Sequence, residues 1–159
     1  MERIVRADKV VVLGAGNLLL RDEGVGVHVI QKLREMEIAE GIELVDGGTS
    51  ILDSIPQAED VSKLIIVDAI KLGGKPGKTY RICVDDFLLK DAKGMTSLHQ
   101  LGVVETLAIA QKMGELPHTV IIGIEPKEIG YGLELSPEVK REMGKVVNLI
   151  LEEVGDKRN

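Results

Sequence analysis

The chain has 159 residues, of which 44% are hydrophobic and 2% aromatic, and its formal net charge at pH 7 is −6. An acidic chain with so few aromatic side chains lacks the basic surface typical of nucleic-acid-binding proteins, so we expect no nucleic-acid partner. No apolar run approaches the ~20 residues that cross a bilayer, and a single cysteine excludes an internal disulfide framework. We therefore expect one domain over residues 1–159, with no signal peptide, no membrane insertion and a cytoplasmic location.

The first stretch with a strong pattern is an apolar run that ends in Gly-x-Gly and leads into a helix. The run from Val10 to Leu13 is short, β-branched and closed by Gly14, which is typical of a buried parallel strand. Gly14 and Gly16 allow a tight turn after it. Asp22 is predicted to be the N-cap of the helix, with Glu23 in its first turn. Apolar residues at helical spacing indicate that helix: Val25, Val29, Leu33 and Met36.

The glycine-rich turn does not fit a dinucleotide site. Leu19 replaces the third glycine of the Gly-x-Gly-x-x-Gly fingerprint. Two adjacent acids, Asp22 and Glu23, stand where a pyrophosphate needs amide groups and no negative charge. A carboxylate pair suits a cation better. The alternative is that Asp22 only caps the helix and Glu23 only complements the helix dipole.

Three further strands follow in the next part of the chain. Ile42 to Val45 is an apolar run that ends at Asp46, and Leu64 to Val67 is another that ends at Asp68. Thr79 to Val84 alternates between apolar and polar residues. The connection before it is too short for a crossover helix. We therefore predict an edge strand that runs antiparallel to the third strand.

A fifth strand, Thr119 to Ile124, separates two longer helices. The first is predicted to begin at the capping box Ser97–Gln100 and to run to Gly114. The second opens at Ser136-Pro137-Glu138, with a cap, a first-turn proline and an N-terminal acid. A short helix is also expected near residues 51–55. This alternation of strands and helices predicts an α/β fold, with a mostly parallel five-stranded sheet and helices on both faces.

An acid follows each of the first three predicted strands: Glu23, Asp46 and Asp68. Doubly wound sheets commonly place strand one between strands two and three, so these carboxylates are expected around one crevice. His99 lies in the first turn of a helix expected to start at the same edge, where the helix N-terminus keeps an imidazole neutral. Two carboxylate oxygens and one imidazole nitrogen form a ligand set that suits nickel or zinc better than magnesium.

Each of these residues also has a simpler interpretation. Asp46 and Asp68 can cap turns, and His99 can be a solvated residue at a helix start. Cys83 is interpreted as a small buried hydrophobe rather than a nucleophile. The chain has no Gly-x-Ser-x-Gly motif, which argues against serine hydrolase chemistry. The concentration of acids and imidazole at one edge favours a site over four unrelated caps.

Taken in order, these motifs resemble those of the hydrogenase maturation endopeptidases, which trim the C-terminal extension from nickel–iron hydrogenase large-subunit precursors. The resemblance covers nearly the whole chain, and the ordered series is more specific than any one motif. In chain order the motifs are Gly14–Asn17 with Asp22–Gly26, Asp46–Thr49, Ile66–Ala69, Pro76-Gly77, Ser97–Gln100, Gly123–Pro126 and Leu135–Val139.

The resemblance implies both a fold and a set of roles. The fold is a three-layer α/β/α sandwich with one antiparallel strand. Glu23, Asp68 and His99 match the metal-binding positions of the family. Asp46 matches an acidic loop position implicated in function, which makes it the candidate catalytic residue. The metal implied is nickel already loaded in the substrate precursor, and no organic cofactor is expected.

The expected function is therefore an endopeptidase that removes the C-terminal extension of a nickel-loaded hydrogenase large-subunit precursor. Two alternatives stay open from the residues alone. One is a metal-dependent amide or peptide hydrolase that holds its own ion, and the other is a non-catalytic nickel-sensing maturation chaperone. The expected partner is the precursor. We expect a monomer, because no heptad pattern or exposed apolar helix face stands out.

Overall fold

The computed structural model describes residues 9–56, 60–84, 107, 110 and 116–155, and a five-stranded sheet lies at its centre. The strands are β1 (Val10–Ala15), β2 (Ile42–Gly48), β3 (Lys63–Ala69), β4 (Thr79–Cys83) and β5 (His118–Ile124). Their order is β2-β1-β3-β5-β4, and only the β4–β5 pair is antiparallel. The carboxyl ends of β2, β1 and β3 therefore meet at one edge, as predicted.

The position of β4 confirms its predicted direction. The strand is an edge strand that runs antiparallel to β3, as expected, and the strand it pairs with is β5. The turn before β4 is joined to the residue after β5, because the Gly77 N–H donates to the Glu125 carbonyl and the Glu125 N–H donates to the Lys78 carbonyl, both at 2.8 Å. A short connection fixes the direction of β4. These contacts with a distant residue fix which strand it pairs with.

Helices cover both faces of the sheet and make it a three-layer α/β/α sandwich. Helices α1 (Val25–Arg34) and α3 (Pro137–Gly155) pack on one face, while α2 (Ile51–Ser54) and the helical residue Leu107 belong to the other. Alternate strand residues enter the two cores because side chains alternate along a strand. The first core takes Val12, Ile65 and Val67, and the second takes Val11, Leu13, Leu64 and Ile66. Within the described ranges, no helix is long and apolar enough to span a bilayer.

A buried charge cluster joins the end of α3 to the sheet. The Glu153 carboxylate accepts hydrogen bonds from Arg81 Nε at 2.9 Å and Nη2 at 2.8 Å, and Lys63 Nζ lies 2.9 Å from it. The Arg81 hydrogen bonds are the main reason why the pKa of Glu153 lies below its usual range. Lys63 begins β3, so this cluster lies away from the carboxyl ends of the strands. Both cations pair with the one buried carboxylate, which fits a structural role.

Candidate active site

Glu23 and Asp68 come together at the carboxyl edge of the sheet. Glu23 lies in a 3-10 turn, Arg21–Gly24, that leads into α1, and Asp68 lies near the end of β3; both are half-buried. Helix α1 approaches the ends of β1 and β3 closely because Gly26 has no side chain. A Cβ at that position would collide with the carbonyl oxygens of Ala15 and Val67, at the ends of β1 and β3. The start of α1 is thus held directly over the two strand ends.

The electrostatics of Asp68 reflect this neighbourhood. Burial raises the pKa of Asp68 to about 7, and the negative charge of Glu23 pushes it in the same direction. The Ala69 N–H donates to Asp68 Oδ1 at 2.8 Å, which opposes the rise. Two carboxylates that repel each other at a partly desolvated position are typical of a functional site.

Asp46 lies at the same edge, at the end of β2. It is paired in register with Gly14 of β1, and the register then shifts so that Ala15 lies opposite Gly48. The Asp46 side chain is exposed, and its Oδ1 accepts a hydrogen bond from the Gly48 N–H at 3.0 Å. This contact orients the carboxylate at the irregular end of the strand. All three strand-end acids therefore lie on the predicted edge.

His99 and its capping residue Ser97 lie outside the described residues. Within the part of the chain that the structure describes, no group of three histidine, cysteine or acidic residues is arranged to hold a metal ion. The described residues thus contain two of the three expected ligands, Glu23 and Asp68. The complete ligand set stays a prediction.

Asp22 corrects a prediction, because it does not cap α1. The 3-10 turn precedes the helix, so Gly24 occupies the N-cap position and makes no side-chain cap. Asp22 is fully buried, and its carboxylate reaches across to the loop before α3. It accepts four hydrogen bonds of 2.6–2.9 Å from the Lys127, Glu128 and Ser136 N–H groups and the Ser136 hydroxyl. Asp22 therefore anchors the turn that carries Glu23.

The protonation of Asp22 fits this anchoring role. Burial alone pushes the pKa of Asp22 upward, but the hydrogen bonds from Glu128, Ser136 and Lys127 outweigh it and leave the pKa below its usual value. An ionised carboxylate that accepts several N–H bonds is stabilised in that form. Sequence reasoning missed this role because its partners lie more than 100 residues away, at separations of 105 to 114 residues.

Glu125 is a second buried acid whose role sequence reasoning missed. Its Oε1 accepts hydrogen bonds from the Leu72 N–H at 3.0 Å, the Gly74 N–H at 2.7 Å and the Tyr80 hydroxyl at 2.7 Å. Burial, together with the hydrogen bond to Glu125, raises the pKa of Tyr80 to about 12. Glu125 therefore holds the turn before β4 in place. The only signal in the sequence was its position within one of the resembling motifs.

The tight turn after β1 requires glycine at position 16. Gly16 has a φ of +128°, and a Cβ built there would collide with the carbonyl oxygen of Glu23. The sequence prediction that this turn needs positive φ or close backbone approach is therefore confirmed. The backbone of Gly16 packs directly against the turn that carries the candidate ligand.

Gly16→Val is accordingly expected to lower the rate of the protein's reaction at least ~10-fold, because a shift of about 1 Å at a reacting group is sufficient for such a loss. The rate is measured together with thermal unfolding, which reports any loss of folded protein. Gly144→Val is the matched control, since a Cβ at Gly144 meets nothing within 4 Å. Equal activity of the two variants would contradict the packing argument.

Comparison with known proteins assigns the chain to a family. The sequence profile described as "HycI: Hydrogenase maturation protease" matches residues 27–153. The hydrogenase expression/formation protein HupD of Thiocapsa roseopersicina is 36% identical over 155 residues, which cover 93% of this chain and 69% of HupD. The hydrogenase 2 maturation protease of Escherichia coli K12 is 31% identical over 134 residues, covering 83% of this chain and 82% of that protein.

Solved structures agree with this assignment. The hydrogenase maturating endopeptidase HybD from E. coli superposes with a TM-score of 0.75 at 28% identity, covering 92% of each chain. The [NiFe] hydrogenase maturation protease HybD from Thermococcus kodakarensis gives a TM-score of 0.72 at 28% identity, covering 92% of this chain and 99% of that one. The α/β sandwich with one antiparallel edge strand is thus the fold of these proteases.

The chain belongs to the hydrogenase maturation protease family. Within that family its activity is that of a hydrogenase maturation endopeptidase. The resemblance found in the sequence motifs is thereby confirmed.

Proposed function

We propose that this endopeptidase removes the C-terminal extension of a nickel-loaded hydrogenase large-subunit precursor, and that it recognises the nickel through Glu23, Asp68 and His99. The family acts on the large-subunit precursor. The observation that supports nickel recognition most strongly is the pairing of Glu23 and Asp68 at one edge, where burial and the negative charge of Glu23 raise the pKa of Asp68. In this proposal the chain acts as one peptidase domain, as a monomer and without an organic cofactor.

The chemistry of the two acids suits a cation that arrives with another molecule. Without a cation, Asp68 carries a proton in a large fraction of molecules near neutral pH, because its pKa is raised to about 7. A divalent ion favours the ionised carboxylate and displaces that proton. The carboxylates of Glu23 and Asp68 then neutralise the ion, and a neutral His99 imidazole adds a nitrogen donor that nickel accepts. Nickel is in this sense part of the substrate.

We assign the catalytic role to Asp46. Its exposed carboxylate stands at the same edge, with one oxygen fixed by the Gly48 N–H at 3.0 Å. A carboxylate held in this way can accept a proton from the water that attacks a peptide bond. Glu23 and Asp68 hold the nickel-bearing end of the precursor, which places the scissile bond near Asp46. Recognition and catalysis are thus assigned to different acids.

The experiment is to incubate the purified enzyme with nickel-loaded and nickel-free precursor and to follow the precursor's mass. The proposal predicts loss of the C-terminal extension from the nickel-loaded form only. Asp46→Asn is expected to bind that form and leave its mass unchanged. Cleavage of nickel-free precursor at the same rate would contradict nickel recognition. Full cleavage by Asp46→Asn would remove Asp46 from the catalytic role.

A further inference from the structure

Exposed apolar side chains cluster on one surface beside the candidate site. Five large hydrophobic side chains are exposed among the described residues, and four of them lie in two short loop segments. These four form what we name the apolar platform: Leu19, Ile129, Tyr131 and Leu133, with exposed fractions of 61%, 50%, 93% and 65%. A cluster of this kind is unfavourable in water unless a partner covers it, so it marks an interaction surface.

Backbone hydrogen bonds make the platform one continuous surface. The Gly132 N–H donates to the Leu19 carbonyl and the Arg21 N–H donates to the Gly132 carbonyl, both at 2.9 Å. These two bonds form a parallel bridge between Leu20 and Gly132. Parallel pairing places the preceding residues side by side, so Leu19 and Tyr131 are neighbours. The apolar side chains of the two segments therefore act together.

The platform is also held in a fixed position. The four hydrogen bonds to Asp22 tie the two loop segments of the platform together from the buried side. Arg21 adds an Nε bond to the Glu134 carbonyl at 3.2 Å and an ion pair with Glu128 at 3.4 Å. A surface ordered in advance loses little conformational entropy when a partner binds.

The chain segment that carries the platform also carries the candidate nickel ligand. The Glu23 N–H donates to the Leu20 carbonyl at 3.1 Å, so Glu23 and Leu19 belong to the same rigid turn. A partner whose nickel reaches Glu23 therefore comes close to the platform. Its apolar centre and its charged rim of Arg21 and Glu128 match the anatomy of protein–protein interfaces, in which exposed tyrosines often supply much of the binding energy.

We propose that the apolar platform docks an apolar surface of the folded hydrogenase large-subunit precursor, next to the precursor's nickel. This inference rests on the proposed function, since the partner is the same. It adds a binding surface made of side chains that take no part in metal recognition or catalysis. Three metal ligands respond only to the ion, whereas an apolar surface can select one precursor by shape. The platform thus gives the enzyme its choice of substrate.

The test compares Tyr131→Ser, Leu133→Ser and the triple variant with Leu19→Ser against wild type. Met36→Ser is the control, because Met36 is the fifth exposed hydrophobic, at 42%, and follows the far end of α1. Direct binding to nickel-loaded precursor and cleavage kinetics are both measured. The triple variant is expected to raise Kd and KM by about 10-fold or more, with kcat and Tm close to those of wild type. Met36→Ser should leave all four quantities unchanged.

Unchanged Kd and KM in the triple variant would overturn the docking proposal, as would failure of wild type to bind any precursor. A wild-type dimer that the triple variant converts to monomer, with KM unchanged, would assign the platform to self-association and overturn it equally. If the proposed function is wrong, wild type will cleave nickel-free precursor as fast as nickel-loaded precursor. In that case the ratio of variant to wild-type Kd still decides whether the precursor docks on the platform.

Discussion

Asp68→Asn is expected to slow precursor processing strongly and, at the same time, to raise the melting temperature of the metal-free protein at pH 8. The amide keeps the shape of the side chain but loses the charge that a divalent ion needs. Processing should fall about 100-fold, which corresponds to about 2.7 kcal/mol of lost transition-state stabilisation. The gain in stability arises because the substitution removes a partly desolvated charge beside Glu23. A functional site commonly costs stability in this way.

The gain in melting temperature from Asp68→Asn should increase as pH rises. The pKa of Asp68 is about 7 in the folded protein and near its ordinary value of 3.8 when unfolded. Between these values the folded state binds more protons, so the contribution of Asp68 to the stability of wild type falls as pH rises and levels off above about pH 7. Asparagine does not titrate. The difference in Tm between variant and wild type should therefore be small near pH 4 and reach several degrees at pH 8.

Thermal unfolding from pH 4 to pH 8 and mass measurement of the precursor check the two parts of this prediction. Asp60→Asn is the matched control, since Asp60 is exposed and precedes β3 at the opposite end of the strand. It should change neither quantity. Normal processing by Asp68→Asn would contradict the role of Asp68 in nickel recognition, and a difference in Tm that does not vary with pH would contradict its raised pKa.

Asp22→Asn is expected to lower the free energy of unfolding by about 3 kcal/mol, because an amide places its own N–H groups against donors that need an acceptor. The carboxylate of Asp22 is fully buried and accepts bonds from Lys127, Glu128 and Ser136. Processing should fall as well, because the turn that holds Glu23 loses its anchor. Denaturant unfolding gives the first quantity, and cleavage of nickel-loaded precursor gives the second.

The contribution of Asp22 to stability changes with pH in the opposite direction to that of Asp68. The pKa of Asp22 is lowered in the folded protein, so its stabilisation is present above the ordinary value of 3.8 and is lost as pH falls through the folded pKa. Wild type and Asp22→Asn should therefore differ most at neutral pH and converge in acid. Asp53→Asn in α2 is the control, because Asp53 is exposed. If Asp22→Asn proves as stable as Asp53→Asn at pH 7, Asp22 does not anchor the turn.

Local patterns in the sequence were sufficient to predict most of the fold. The apolar runs that became β1 and β3 end at Ala15 and Ala69, close to the predicted boundaries, because buried parallel strands are continuous apolar segments. Ser136 and Pro137 marked the start of the last helix, which begins at Pro137. The order of the first three strands followed from the right-handed crossover rule, which is why Glu23, Asp46 and Asp68 were expected at one edge.

Contacts between distant residues could not be predicted in the same way. Asp22 has the sequence signature of a helix cap, and only the loop before α3 shows that its carboxylate is directed elsewhere. The pairing of β4 depends on Glu125, which lies more than 40 residues beyond the strand. Ile129, Tyr131 and Leu133 of the apolar platform alternate with glycines in the sequence, but no local pattern shows that Leu19 lies beside them. In each case the deciding partner was far away in the chain.

The measurement that tests nickel recognition most directly is cleavage of nickel-loaded precursor by His99→Ala, followed by mass spectrometry. His118→Ala is the matched control, since His118 begins β5 at the edge away from the strand-end acids. Circular dichroism and Tm verify that both variants fold as wild type does. The three-ligand account predicts that His118→Ala releases the C-terminal extension while the precursor given to His99→Ala keeps its full mass. Release of the extension by His99→Ala at the wild-type rate would contradict the account, because nickel recognition would then not need its nitrogen donor.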